Sequence, residues 1–522
     1  MAVSSAAPPA SYAPPAANLQ GVHRDRLFVA SCCALAVSAV AFAVVGDILG
    51  ALKAQFVLSN LEVGYIGGAA IWGFTISILV LGPLCDVLGM RFLVRSAMAC
   101  HFAGVILMIT AAGFWQLFAG ALVLSLGNGL IEAACNPLVA TLYPEDKAHR
   151  LNQFHVWWPG GIVLGGLASY GLAQMGVTSW QVRLGLVLIP ALVYSVLMFN
   201  EKFPPTENEQ SGVSTGEMFK ATFTSPLFLL MLACMFVTAT IELGPNRWVP
   251  AVLQSGGIPG ILVLVWISGL MAVLRMKASG PLLKWLSPTG ILLASTILTG
   301  IGLYWLSYAE TGAMAFAAGT VFALGICFIW PTMLGFVSER IPRSGALGLA
   351  LMGGAGMGVV GLVAAPALGK IADTVAHERF VAEQPAVVST LTSARDQLRA
   401  ALPSVHADQR GDVERSISTV EGVLQTASTS GQLPPIETAN AFRSVVGTGL
   451  TIPAVAQVQA LLGPAENYGG RVSFRYCVPL AAGVAIVFAL LYAADKRRGG
   501  YRVERVVSDG PGGGQPARAG LH

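Results

Sequence analysis

Apolar residues run in long stretches at about 27–52, 64–86, 92–112, 115–143, 153–175, 181–200, 226–253, 259–283, 289–308, 313–337, 345–371 and 473–494. Each stretch approaches or exceeds the roughly 20 residues that carry an α-helix across a bilayer. The pattern therefore predicts twelve membrane spans, numbered span 1 to span 12 in chain order. Two polar interruptions stand out. Residues 201–225, with Glu201, Lys202, Pro204, Pro205, Glu207 and Glu209, divide the spans six and six. Residues 373–471 form a polar insertion between spans 11 and 12. Inside it, Val388, Leu391, Leu398 and Leu402, then Val413, Ile417, Val420 and Leu424, recur at helical spacing. Pro403 and the 431–435 region break the two runs, which predicts a small helical cap or hairpin outside the membrane.

The expected organisation is a disordered tail over 1–22, a six-helix bundle over 23–200 and a cytoplasmic linker over 201–225. It continues with spans 7–11 over 226–372, the extracytoplasmic insertion over 373–471, span 12 over 472–498 and a second disordered tail over 499–522. Arg24 and Arg26 precede an apolar run that continues past Val45. That run is too long for the apolar region of a signal peptide, so it reads as a first span that stays in the protein.

Composition leads to the same solvent. The chain has 522 residues, of which 54% are hydrophobic and only 11% charged, with a mean hydropathy of +0.67. Soluble domains carry about 25% charged residues, so both an ordinary soluble enzyme and a disordered scaffold are excluded. A net charge of +4 is too small to argue for nucleic acid. All eight cysteines lie in or at the end of apolar stretches without CxxC spacing, which reads as packing, with no disulfide framework and no metal site. No nucleophile–base pair, ATP site or cofactor motif is visible. The glycines at 353, 354, 356 and 358 lack the strand and acidic partner of a nucleotide loop and read as close helix packing.

Placing the N-terminus in the cytoplasm puts most of the loop Lys and Arg inside, including Arg91, Arg95, Lys147, Arg150, Lys202, Lys220, Arg340 and Arg343. Only Lys53, Arg183 and Arg247 then fall in short outer loops. The positive-inside rule predicts a multi-pass protein of the inner (plasma) membrane with both termini cytoplasmic. The two halves also repeat. Gly82-Pro83 and Gly280-Pro281 are related by 198 residues, and Pro137/Pro331, Glu145/Glu339 and Gly160/Gly354 by 194. Two six-helix halves inserted with the same sense imply a cavity on the pseudo-twofold axis and alternating access by rocking.

The run Gly82-Pro-Leu-Cys-Asp86-Val-Leu-Gly89-Met-Arg91 resembles the loop 2–3 signature of the major facilitator superfamily. Asp47, Glu132-Ala-Ala-Cys-Asn136-Pro137, Arg150-Leu151-Asn152, Ser287-Pro288 and Pro331-Thr332 are similar to the fucose and glucose/galactose symporter branch of that superfamily. The resemblance implies an all-α fold of two six-helix bundles. It also implies that Asp47 and Glu132 serve sugar binding and proton coupling. His155, Trp157 and Trp158 have no place in it.

Ionisable groups inside a membrane are costly and are functional hypotheses by default. Glu132 and Asn136, one turn apart on one face of span 4, offer donors and acceptors to sugar hydroxyls, and Glu132 is a candidate proton carrier. A structural ion pair of Glu132 with Arg275 is the alternative. Asp47 is a second coupling carboxylate, or an acid at the outer mouth solvated or paired with Lys53. Glu242 and Asn246 repeat the spacing in span 7 as substrate ligands, or line the mouth beside Arg247. Arg275 binds an anion or holds a carboxylate ionised. Gln153, His155 and Trp158 at the start of span 5, and Trp330 before Pro331, are candidate substrate contacts, against an interfacial belt for the tryptophans. Asp86 and Arg91 are assigned to an inner gate.

The sequence thus predicts no enzyme but a secondary transporter, with no cofactor. It would move a sugar or similar polyhydroxylated solute by proton-coupled symport through the bilayer. The rival readings are an exporter or antiporter of drug-like or nucleoside substrates, and a transporter-like sensor or scaffold whose insertion docks an extracytoplasmic partner.

Overall fold

The structure is a computed structural model, and it describes residues 19–56, 60–177, 179–206, 214–255 and 260–504. Most of both predicted tails, and residues 207–213 of the linker, lie outside the described residues. Among the described residues every regular element is helical. Among these residues ten helices are long and apolar enough to cross a membrane. The apolar helix Tyr65–Leu81 and the Trp157–Gln174 segment occupy the positions of spans 2 and 5 and complete the twelve.

Several spans are not single rods. Span 5 is Lys147–Phe154 followed by Trp157–Gln174, broken at His155 and Val156. Span 6 breaks between Gly185 and Leu188, and span 10 between Ile326 and Ile329. Span 11 runs from Gly345 to Ala382 through a π-turn at Val360–Ala364. Such breaks free backbone groups and re-aim side chains, and they concentrate at functional positions.

The packing separates into two compact units. The first holds spans 1–6 and the start of span 7 together with Pro331–Gly354; the second holds Ala233–Trp330 and Ala355–Tyr501. This differs from a plain six-plus-six division, because the ends of spans 10 and 11 nearest the chain termini pack inside the first unit. The reason is small residues at close contacts. A Cβ added to Gly82 in the loop 2–3 motif would collide with Ala350 of span 11. Added to Gly335 of span 10, it would stand 3.1 Å from Cα of Ala148. The Ala148 N–H also donates to Glu339 Oε1 at 3.3 Å. At the same end Glu201, buried at 6% exposure, takes His23 Nδ1 at 2.8 Å and Arg26 Nη1 at 3.1 Å.

The internal repeat is realised in packing within each half. Gly104 of span 3 would put a Cβ 2.5 Å from the Leu124 backbone nitrogen of span 4. Gly302 of span 9, 198 residues on, would put one 2.5 Å from Phe322 of span 10, which is itself 198 residues beyond Leu124. Each half therefore brings its third and fourth helices together through a glycine at the same register.

The insertion is smaller and better organised than its predicted bounds. Span 11 extends to Ala382 and span 12 begins at Pro453, so both predicted limits, 373 and 471, fall inside helices. Span 12 has 45 residues, about 68 Å at 1.5 Å per residue, far longer than a bilayer needs. Between the two extensions stand Gln384–Ala401, Ala407–Ser430 and Pro435–Gly447. Gly431 at φ 73° caps the second in the left-handed conformation that glycine adopts without cost. Val387, Leu391, Leu398, Val413, Ile417, Val420, Phe442, Val445, Val458 and Leu462 form one buried core. Phe442 is fully buried, with its ring 5.1 Å from that of Phe380 on the span 11 extension. Arg443 then clasps Asp373 and Glu466, one from each extension, both at 2.7 Å. Phe442→Ala is expected to destabilise this cap by about 3–5 kcal/mol. Hydrogen exchange would rise across 384–447 while the spans stay protected; uniform exchange along the chain would show that the cap has no core of its own.

Candidate functional site

Span 4, Phe114–Leu142, is buried along most of its length and carries Glu132 at 4% exposure. Pro137 has no N–H, so the carbonyl one turn before it loses its helical donor. Beside that gap Asn136 Nδ2 donates to the Glu132 carbonyl at 2.9 Å and to Glu132 Oε2 at 2.6 Å. Both partners are acceptors, which fixes the amide orientation and leaves Asn136 Oδ1 without a hydrogen bond among the described residues. Asn152 repeats the device. Its Nδ2 donates to the Ala148 carbonyl at 2.8 Å, and its Oδ1 accepts no hydrogen bond among the described residues.

His155, at the break in span 5, brings Nε2 to 3.6 Å from Glu132 Oε2, and both side chains are buried. Glu132, Asn136 and His155 therefore form one cluster, with Asn152 on the helix that leads into His155. Arg275, 2% exposed, takes Glu242 as its carboxylate at 3.8 Å, and its Nε donates to the Cys327 carbonyl at 2.5 Å. Arg275 thus meets a carboxylate within the second unit.

Asp47 does not join Glu132. Ser31 of span 1 stands beside Cys135, near Glu132 in span 4, and Asp47 lies sixteen residues farther along span 1, about 24 Å. There Asp47 Oδ2 accepts from Ser169 at 2.6 Å and from Arg183 at 2.8 Å, with 41% of its side chain exposed. Its cation is thus Arg183; the side chains of Lys53 and Arg247 lie outside the described residues.

In the second unit, Glu242 and Asn246 stand one turn apart on span 7. Glu242 Oε2 and Asn246 Oδ1 are buried oxygens that accept no hydrogen bond among the described residues. Trp330, 8% exposed, packs its ring against Gly356 of span 11, at the break within span 10. Trp158 sets its ring 6.0 Å from Phe42 of span 1, and Gln153 accepts from Arg150 at 3.1 Å. Both are engaged in packing or local bonds. Arg91 donates to the Glu201 carbonyl, which ties loop 2–3 to the chain leaving span 6.

One buried polar group escaped the sequence reading. His101 in span 3 is fully buried, donating to Asn128 Oδ1 at 3.1 Å and accepting from the Tyr194 hydroxyl at 3.0 Å. Its signal was available, an imidazole in the middle of an apolar run, but its partners on spans 4 and 6 are remote in sequence.

The sequence profile of the Major Facilitator Superfamily matches residues 27–381, and the chain belongs to that family. It is a multi-pass membrane protein. A hexose transporter of Saccharomyces cerevisiae is 28% identical over 205 residues, which are 37% of this chain and 36% of the relative. The cis,cis-muconate transport protein of Acinetobacter baylyi is 27% identical over 226 residues, 40% of this chain and 52% of the relative. The matched stretches thus span about a third to a half of the curated relatives. Among solved structures, the fucose:proton symporter FucP of E. coli superposes with a TM-score of 0.55 at 17% identity, over 66% of this chain and 92% of that one. The proton:xylose symporter XylE gives 0.57 at 14% identity, over 68% and 90%. At these identities the likeness shows the fold.

Proposed function

We propose that this protein is a secondary active transporter that moves a neutral sugar or similar polyhydroxylated solute together with a proton, by alternating access of its two halves. The observation that carries this reading is the buried cluster of Glu132, Asn136 and His155. A carboxylate held by an amide and faced by an imidazole in a dry helix bundle is suited to load and release a proton. The free amide ends, Asn136 Oδ1 and Asn152 Oδ1, are acceptors and match the hydroxyl donors of a polyol. An anionic solute fits less well, since Arg275 is already engaged by Glu242. The hexose transporter, the D-xylose transporter of Levilactobacillus brevis and the fucose:proton symporter among the similar proteins support the same solute class. Asp86 and Arg91 are assigned to the gate at the end bearing the termini, beside the close contact of Gly82 with span 11.

Purified protein in proteoliposomes tests the reading, with labelled L-fucose, D-glucose, D-xylose and cis,cis-muconate supplied outside under an inward proton gradient. Sugar accumulation with alkalinisation of the medium is the expected result. Gradient-driven uptake of muconate alone, or efflux without sugar uptake, would overturn it.

A further inference from the structure

The hydrogen bond on the far side of His155 determines what the cluster can hold. His155 Nδ1 lies 2.9 Å from the Leu151 carbonyl, one turn back on the same short helix. A backbone carbonyl only accepts, so Nδ1 carries a proton in every charge state of the ring. The other nitrogen, Nε2, is then a bare lone pair in the neutral imidazole and a donor in the imidazolium. It faces Glu132 Oε2 at 3.6 Å, with both side chains 5% exposed or less. Without a proton, two acceptors would confront each other in a buried setting, which is unfavourable. With one proton, Nε2–H faces the carboxylate and the pair is neutral as a whole.

Resting on the symport reading above, we propose that Glu132 and His155 hold a single shared proton, and that its departure loosens the break in span 5. Loading adds one proton to the pair of carboxylate and neutral imidazole, forming imidazolium and carboxylate. Unloading returns that proton to water and leaves one net negative charge. The loaded carrier therefore crosses with an uncharged pair, while the unloaded pair repels His155 from Glu132. His155 sits at the junction between Lys147–Phe154 and Trp157–Gln174, so a shift of its ring is transmitted to the short helix. That helix also carries Ala148, which abuts Gly335 and donates to Glu339 of span 10. Proton loss and release of this contact are thereby linked through one eight-residue segment.

Other ionisable groups lie on the elements around the pair. Cys135 stands beside Glu132 on span 4, with Cys32 of span 1 next to it. On the short helix, Arg150 lies over the Tyr143 and Phe28 rings and bonds Gln153, His149 lies near Asp146, and Lys147 is buried at the helix start.

The test compares the pH profile of solute uptake by wild type and His155→Asn in proteoliposomes, using protein that elutes as a single species and binds the solute. Asparagine keeps a bond to the Leu151 carbonyl but cannot be protonated. The expected result is a profile displaced toward acid by about one pH unit or more, as Glu132 loses the imidazole that shares its proton. An unchanged profile in His155→Asn, with wild-type uptake still proton-driven, would overturn the shared proton and leave the symport reading intact. Wild-type uptake indifferent to the gradient would overturn the symport reading itself. Should the variant not fold, 15N spectra of histidine-labelled wild type decide. Among the seven histidines, one imidazole must keep its Nδ1 proton throughout while Nε2 titrates at the midpoint of uptake. Absence of such a ring overturns the proposal.

Discussion

Arg275→Met is expected to destabilise the protein by about 3–5 kcal/mol, while Glu242→Gln combined with Arg275→Met recovers most of that loss. Glu242 and Arg275 are 3% and 2% exposed and are each other's ion-pair partner across spans 7 and 8. Removing the arginine alone strands a carboxylate, of which Oε2 already accepts no hydrogen bond among the described residues. It also strips the Cys327 carbonyl of its donor. Neutralising both partners removes the stranded charge, so the double variant must be more stable than Arg275→Met alone. Thermal unfolding of wild type and the two variants in one detergent checks the order. If Arg275→Met unfolds no earlier than the double variant, the pair contributes no electrostatic stabilisation and the arginine acts only through packing.

Glu132→Gln is expected to abolish accumulation against a gradient while exchange of labelled for unlabelled solute continues. Glutamine keeps the size and the bond to Asn136 but takes up no proton in the physiological range. Uptake should stop when inside and outside concentrations are equal, and the pH profile should flatten. Counterflow beside gradient-driven uptake in the same vesicles makes the comparison. Retained accumulation in Glu132→Gln would move the coupling elsewhere, and Asp47 on span 1 would be the next group to change. That residue is bound to Ser169 and Arg183 about 24 Å farther along the helix, so its loss would act at a separate place.

The reach of the sequence can be read from particular residues. Glu132 and Asn136 were legible as a pair because an i, i+4 spacing on a helix forces two side chains onto one face, whatever surrounds them. Glu242 and Asn246 were legible for the same reason. His155 was visible as a residue but its role was not, since its distance to Glu132 depends on how span 5 breaks. That Glu242 is the carboxylate which Arg275 meets was not legible, for a related reason. From sequence, Glu132 and Glu242 are equally plausible carboxylates at mid-depth, and only helix adjacency separates them. The insertion shows a third case. Its helical spacing was evident at Leu391, Leu398, Val413 and Val420, all buried in the structure. Its limits were not, because the extensions of spans 11 and 12 become polar where they leave the bilayer while remaining helical.

The sequence by itself determined the solvent and the twelve helices, through its hydrophobic pattern, and the internal repeat, through matched Gly, Pro and Glu positions. A bilayer forces every backbone group to be satisfied within its own segment, so length and polarity suffice to find the spans. Only the tertiary structure decided which charges meet: Arg275 with Glu242, Arg183 with Asp47, and His155 with Glu132. Those contacts are made between side chains on different helices, through breaks and glycine contacts whose geometry no local periodicity encodes.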